Sequence, residues 1–139
     1  MLNQTAEYAL RTAVYLAEHE GEGAARAAEL ASALGIPSNY LSKILHQLAK
    51  DGVLTSRRGK TGGFRLARDA ADITLADVVR PFDAVDSRRT CLLGRLVCSD
   101  RSPCEAHRSW KDVSGRVAAF FHDTTLAALA EGARVKGRR

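Results

Sequence analysis

The chain has 139 residues, enough for one domain with a helical extension, and 45% of them are hydrophobic, so a packed core can form. No apolar run approaches the ~20 residues a membrane span requires, and charged and polar residues interrupt the N-terminal stretch too early for a secretory leader. A cytoplasmic protein with no membrane partner is therefore expected. The net charge of +5 is unevenly spread: residues 1–35 carry two basic and five acidic side chains, net −3, and residues 36–68 carry seven basic and one acidic, net +6. A solvated basic face explains this plainly; the sharper reading is a polyanion partner whose condensed counterions Lys and Arg displace.

Residues 4–19 read as a helix, with Leu10, Ala13, Val14 and Ala17 at helical spacing and Tyr8 and Tyr15 beside that stripe. Glu7 and Arg11 stand four apart in the favourable order for a helical ion pair. A second short helix is expected over 26–34, with Leu30, Ala31 and Leu34 inward, ended by the tight break Gly35-Ile36-Pro37. Ser38 is then expected to cap a third helix over 39–51 through its hydroxyl. Leu41, Ile44, Leu45 and Leu48 form the apolar stripe of that helix, and Asn39, Tyr40, Ser42, Lys43, His46, Gln47 and Lys50 form its polar, basic face. Two helices joined by a short glycine-containing turn, the second amphipathic and basic outward, make a helix-turn-helix. An ordinary helical hairpin shares that pattern, so the following element matters.

Gly52 stops the third helix, and residues 53–57 and 64–66 read as two short strands around the tip Arg58-Gly59-Lys60-Thr61-Gly62-Gly63. A glycine-rich basic hairpin beside a helix-turn-helix is a wing. The tip lacks the spacing of a P-loop and is followed by a strand instead of a helix, which argues against a nucleotide phosphate site. The fold class expected is mainly α with a small β-wing: a winged helix-turn-helix head followed by a long C-terminal dimerisation helix.

A capping-box-like start at Thr74 and Asp77 predicts a helix over about 75–84, shortened or kinked by Pro81. Residues 85–104 show no periodicity and contain all three cysteines of the chain, Cys91, Cys98 and Cys104, with His107 three residues on. In a reducing compartment an odd cluster of thiols suits a metal or redox site better than a disulfide framework. From Pro103 a long helix is expected to about residue 122, with Trp110, Val113, Val117 and Phe120 at coiled-coil-like spacing and Phe121 alongside. Such an aromatic seam favours a second copy as partner over packing back onto the head. A short helix over 124–130 and a basic tail from Arg134 complete the chain. The domain division expected is 1–84 for the DNA-binding head, 85–105 for the cysteine loop and 106–139 for the dimerisation helix, terminal helix and tail.

Glu7-Tyr8-Ala9-Leu10-Arg11, Ile36-Pro37-Ser38-Asn39-Tyr40-Leu41, the wing Arg58-Gly59-Lys60-Thr61-Gly62-Gly63-Phe64-Arg65-Leu66, the three cysteines and Thr124-Thr125-Leu126-Ala127-Ala128-Leu129 together resemble the Rrf-two family of bacterial winged-helix transcription regulators, in its IscR-like and NsrR-like iron–sulfur branches. The resemblance covers nearly the whole chain. It implies a homodimer, most simply a repressor, on double-stranded DNA with a palindromic operator. Ser38, Asn39, Tyr40, Ser42 and Lys43 would come from the recognition helix, with Asn39, Tyr40, Ser42 and Lys43 at base edges. Arg58 would enter the minor groove, and Arg57 and Lys60 would bind phosphates. It also implies an iron–sulfur cluster, 2Fe–2S or 4Fe–4S, on Cys91, Cys98 and Cys104.

Two candidates exist for the fourth ligand. His107 matches a histidine ligand of one branch and Glu7 a carboxylate ligand, from the partner chain, of the other; imidazole is softer and Glu7 already has Arg11 nearby, which favours His107. The chain departs from the family pattern in the six-residue gap between Cys91 and Cys98 and in Lys60-Thr61 of the wing. The competing expectation keeps the same head with a thiol-based or zinc-dependent switch and no cluster. No catalytic constellation is present in the sequence, so an enzyme is not expected.

Overall fold

The computed structural model describes residues 2–85, 91–93 and 100–137, with side chains as far as residue 132. Cys98 lies outside the described residues.

Helix α1 spans Gln4–Glu18, started by Asn3, whose side-chain oxygen accepts the Ala6 N–H at 2.8 Å. The same Asn3 donates to the Phe82 carbonyl at 2.7 Å and its backbone N–H reaches the Asp83 carboxylate at 3.0 Å, so the first turn is pinned to the segment leading into the cysteines. Helix α2 spans Ala27–Leu34 and ends at Gly35, which takes a left-handed φ of 65°. Helix α3 spans Ser38–Lys50. Ala6, Ala9, Ala13, Leu16 and Ala17 from α1, Leu30 and Ala31 from α2, and Leu41, Ile44, Leu45 and Leu48 from α3 are buried together. Small side chains on α1 allow its close approach to α3.

The wing is an antiparallel pair, β1 (Leu54–Arg57) and β2 (Gly63–Leu66), in the register Leu54↔Leu66, Thr55↔Arg65, Ser56↔Phe64, Arg57↔Gly63. A third backbone segment joins it: Ala25 and Phe64 exchange both hydrogen bonds, at 3.0 and 2.7 Å. This bridge, which pattern alone did not suggest, ties the wing to the entrance of α2. It also explains two glycines. A β-carbon at Gly63, where φ is +136°, would stand 2.5 Å from the Ala25 carbonyl oxygen, and one at Gly62 would stand 2.4 Å from that of Arg57.

A short 3₁₀ turn, Ala70–Asp72, follows, with the Ala71 N–H held by the Asp69 carboxylate at 2.9 Å; sequence reading missed it. Helix α4 is Leu75–Val79, five residues in place of the ten expected. Its predicted capping box is present, with Thr74 N–H to Asp77 at 3.0 Å and Asp77 N–H to the Thr74 hydroxyl at 3.2 Å. Pro81 has no N–H to continue the ladder, and the chain leaves through a tight turn closed by Phe82 and Asp83 N–H on the Val79 carbonyl.

Helix α5 spans His107–Asp123 and α6 spans Leu126–Gly137, the latter running past the expected residue 130, with Leu126 and Ala130 buried in the core. The joint between them is stitched to the start of α4: Leu75 N–H bonds the Thr124 carbonyl and Leu126 N–H the Ile73 carbonyl, both at 2.9 Å. The α5 seam divides. Phe121 is 2% exposed and belongs to the core of the head, whereas Val113 and Phe120 are 50% and 54% exposed. The architecture is the mainly α fold with a two-stranded wing that the sequence implied.

Candidate nucleic-acid interface and cysteine site

The outward face of α3 stands opposite its buried stripe. At ~100° per residue, Asn39, Ser42, Lys43 and His46 fall within one arc of the helix surface. Asn39, Lys43 and His46 are exposed and Ser42 is partly so.

The predicted Ser38 cap is corrected. Pro37 occupies the cap position in an extended conformation, Ser38 is the first helical residue, and no side-chain cap bond forms. The fixed ring of Pro37 sets the entry angle and its carbonyl accepts the first helical bond, from Leu41 N–H at 2.9 Å. Ser38 is exposed, with no part in a cap.

Tyr40 is held from behind. Its hydroxyl hydrogen-bonds the Thr5 hydroxyl and its ring meets Tyr8 edge-on at 5.7 Å, so α1 braces the first turn of α3. Arg11 likewise departs from expectation: it donates to the Leu34 carbonyl at 2.7 Å and lies over the Tyr8 ring at 5.7 Å. The ion pairs of the described residues do not include Glu7 with Arg11. Closing the C-terminus of α2 is the better use of that guanidinium, because the carbonyls there lack helical partners. Glu7 is exposed on the first turns of α1.

Arg57, Arg58 and Lys60 are all exposed on the wing. Arg26 is the residue that pattern reading missed: its guanidinium donates to the Lys60 carbonyl at 2.9 Å and the Gly59 carbonyl at 3.3 Å. It therefore fixes the wing tip against the start of α2. Its only signal in the sequence is an arginine at the head of α2, one of two basic residues in a net-acidic first quarter.

In the cysteine segment, Cys91 is buried, and Cys104 is partly buried just before α5. His107 opens α5 and its N–H bonds the Cys104 carbonyl at 3.0 Å, so one turn carries both a thiol and an imidazole. The His107 ring lies 2.8 Å, through Nε2, from Asp100, whose two carboxylate oxygens also receive Lys111 at 3.2 Å each. The bond from His107, and then Lys111, hold the Asp100 carboxyl below its ordinary range. Asp100, Cys104, His107 and Lys111 line one open groove. Sequence reading gave Asp100 no role. Among the described residues no three metal-ligating side chains gather into one site. Glu7 and His107 are on different helices, and Cys98 is outside the described residues.

A helix-turn-helix with a bonded wing beside it and a basic outer helix face defines a winged-helix DNA-binding regulator. The model of the Rrf2 family, described as an iron-dependent transcriptional regulator, matches residues 2–132. The chain belongs to the Rrf2 family and is a transcriptional regulator, not an enzyme. It is 33% identical over 129 residues to the HTH-type transcriptional regulator IscR of Serratia proteamaculans, covering 92% of this chain and 77% of that one. It is 32% identical over 135 residues to IscR of Photorhabdus laumondii, covering 96% and 81%. Among solved structures, T. potens IscR superposes with a TM-score of 0.77 at 24% identity, covering 96% of this chain and 88% of that one. CymR, the global cysteine regulator of B. subtilis, superposes at 0.79 and 24% identity, covering 94% and 96%.

Proposed function

We propose that this regulator is a homodimeric repressor that reads a palindromic operator with α3 and the wing and senses iron–sulfur or redox status through a cluster held by Cys91, Cys98 and Cys104. His107 is the fourth ligand in this reading, with Glu7 of a partner chain as the other candidate. The observation that carries it is the single turn at the start of α5 bearing Cys104 and His107, on the helix whose far end is stitched to α4 through Thr124 and Leu126.

The donor set fits such a group by its chemistry. Thiolates are the usual ligands of iron–sulfur clusters, and imidazole is a known replacement. Cys91 is 7% exposed and the His107 side chain 12%, so both donors stand largely out of bulk water. When bound, such a cluster supplies one-electron chemistry and sensitivity to oxygen or nitric oxide at its weakest ligand. The chain's own part is mechanical. Cys104 and His107 fix the start of α5, Asp100 and Lys111 position the imidazole, and the α5–α6 joint passes any displacement to α4 and the head. That is a two-state element biased by a ligand.

On DNA, Ser38, Asn39, Ser42 and Lys43 meet the major groove, and Tyr40, engaged by Thr5, sets the pose of the helix. Arg57 and Lys60 neutralise phosphates and Arg58 enters the minor groove. Val113 and Phe120 of α5 make the face that meets the second copy, since two large apolar side chains half in water are unfavourable for an isolated chain. A DNA partner accords with a cytoplasmic protein.

Iron and acid-labile sulfide per chain in anaerobically purified protein test the proposal. Roughly equal iron and sulfide support it. Neither, even after anaerobic reconstitution, overturns it and leaves the thiol-based or zinc-dependent switch on the same head.

A further inference from the structure

The DNA-binding roles of their neighbours leave out His46, Gln47 and Lys50 on the outer face of α3, and of these His46 is the one whose ring meets the wing. His46 is exposed and sits where the recognition helix meets the base of the wing, its ring edge-on to Phe64 at 5.6 Å and 80°. Its Nδ1 lies 2.7 Å from the Ser42 carbonyl oxygen one turn back. A carbonyl only accepts, so Nδ1 carries the hydrogen in that bond. In the neutral ring the proton is then absent from Nε2, which becomes an acceptor on the far side of the imidazole.

The ring is thus fixed twice, by its own helix and by the wing, with little rotamer freedom left to lose on binding. Helical spacing continues the stripe of Asn39, Ser42 and Lys43 directly into His46. The stripe has Lys43 as a pure donor, suited to guanine, and Asn39 and Ser42 as mixed groups. A fixed acceptor complements them, because the exocyclic amines of adenine and cytosine are the donors that base pairs present in the major groove.

We infer that His46 is a further specificity-determining residue, whose Nε2 accepts from the exocyclic amine of an adenine or cytosine in each half-site. The inference rests on α3 being the recognition helix. It makes His46 the last base reader along α3, where the helix meets the wing, while phosphate binding stays with Arg57 and Lys60.

The test is selection of sequences from a pool of random duplex DNA by the full chain, by His46→Phe and by His46→Gln, with thermal unfolding of each. Phenylalanine keeps an aromatic edge on Phe64 and removes the acceptor; glutamine keeps an acceptor. The wild-type chain is expected to enrich a motif with adenine or cytosine preferred at one position per half-site. His46→Phe should lose about tenfold discrimination at that position alone, and His46→Gln should retain it. An unchanged motif for His46→Phe, or a loss spread evenly over all positions, overturns the inference and makes His46 a packing residue of the wing. If the wild-type chain enriches no motif, the assignment of α3 as reader falls, and the role of His46 with it. Should His46→Phe unfold, the comparison of His46→Gln with His46→Ala gives the same discrimination.

Discussion

The head and the cysteine segment place their working residues by different means. In the head, each outward-facing group stands on a buried support. Asn39, Ser42 and Lys43 ride on a helix whose other face is Leu41, Ile44, Leu45 and Leu48, each 2% exposed or less. The wing is held by the Ala25–Phe64 bridge and by Arg26 on the Lys60 carbonyl. The cysteine segment has Cys91 buried on one side and Cys104 with His107 at the start of a helix on the other, and local polar bonds through Asp100 hold the imidazole. The lesson is that a reading surface gains by being rigid before its partner arrives, while a sensing site must have two arrangements for its ligand to choose between.

Four substitutions sharpen or break that contrast, taken from the largest expected effect downward. Leu41→Ala removes a fully buried side chain beneath the reading face and should cost about 2–5 kcal/mol of stability, measured by denaturant unfolding. A loss under ~1 kcal/mol would show that the α3 scaffold is looser than its burial implies. Gly63→Ala sets a β-carbon against the Ala25 carbonyl at a φ few side chains adopt. A cost of about 1–3 kcal/mol is expected, with weaker operator binding. Normal binding and melting would contradict the role of the bridge.

Phe120→Asp puts a charge on the exposed face of α5 and should convert dimer to monomer in sedimentation, with the helical signal kept, because Phe121 and not Phe120 packs on the head. A dimer that survives would move the seam elsewhere. Arg57→Ala removes one exposed charge per chain, proposed to meet phosphate; the slope of log affinity against log salt should become shallower by about 0.9 for each phosphate that Arg57 neutralises. An unchanged slope would show that Arg57 binds no phosphate.

Much of the head was legible in the sequence, because a 3.6-residue apolar period, the Gly35-Ile36-Pro37 break and paired wing glycines each allow few local structures. The features missed depend on partners distant in sequence. The Ala25–Phe64 bridge and the Arg26 clasp join residues more than thirty apart. Period puts Tyr40 on the polar face of α3, and only the structure reveals that its hydroxyl is held by Thr5. Glu7 and Arg11 had the right spacing for an ion pair, but the open end of α2 offered Arg11 a carbonyl instead. Helix α6 runs past its expected end at residue 130 and through Gly132, whose helix penalty of about 1 kcal/mol relative to alanine does not stop it. In the cysteine segment residue types raise the expectation of metal or redox chemistry, but neither period nor spacing could reveal Asp100 as the partner of His107.

The central claim is that the cysteine segment sets what the winged head does on DNA. The most direct measurement is operator affinity of one anaerobic preparation before and after its iron is removed, alongside Cys104→Ala treated identically. Iron removal is expected to change wild-type affinity or operator choice by about tenfold or more, roughly 1.4 kcal/mol of coupling. Cys104→Ala is expected to behave as the stripped protein throughout. Equal affinity for loaded, stripped and Cys104→Ala protein would contradict the claim, leaving a regulator whose head reads DNA without reference to its cysteines.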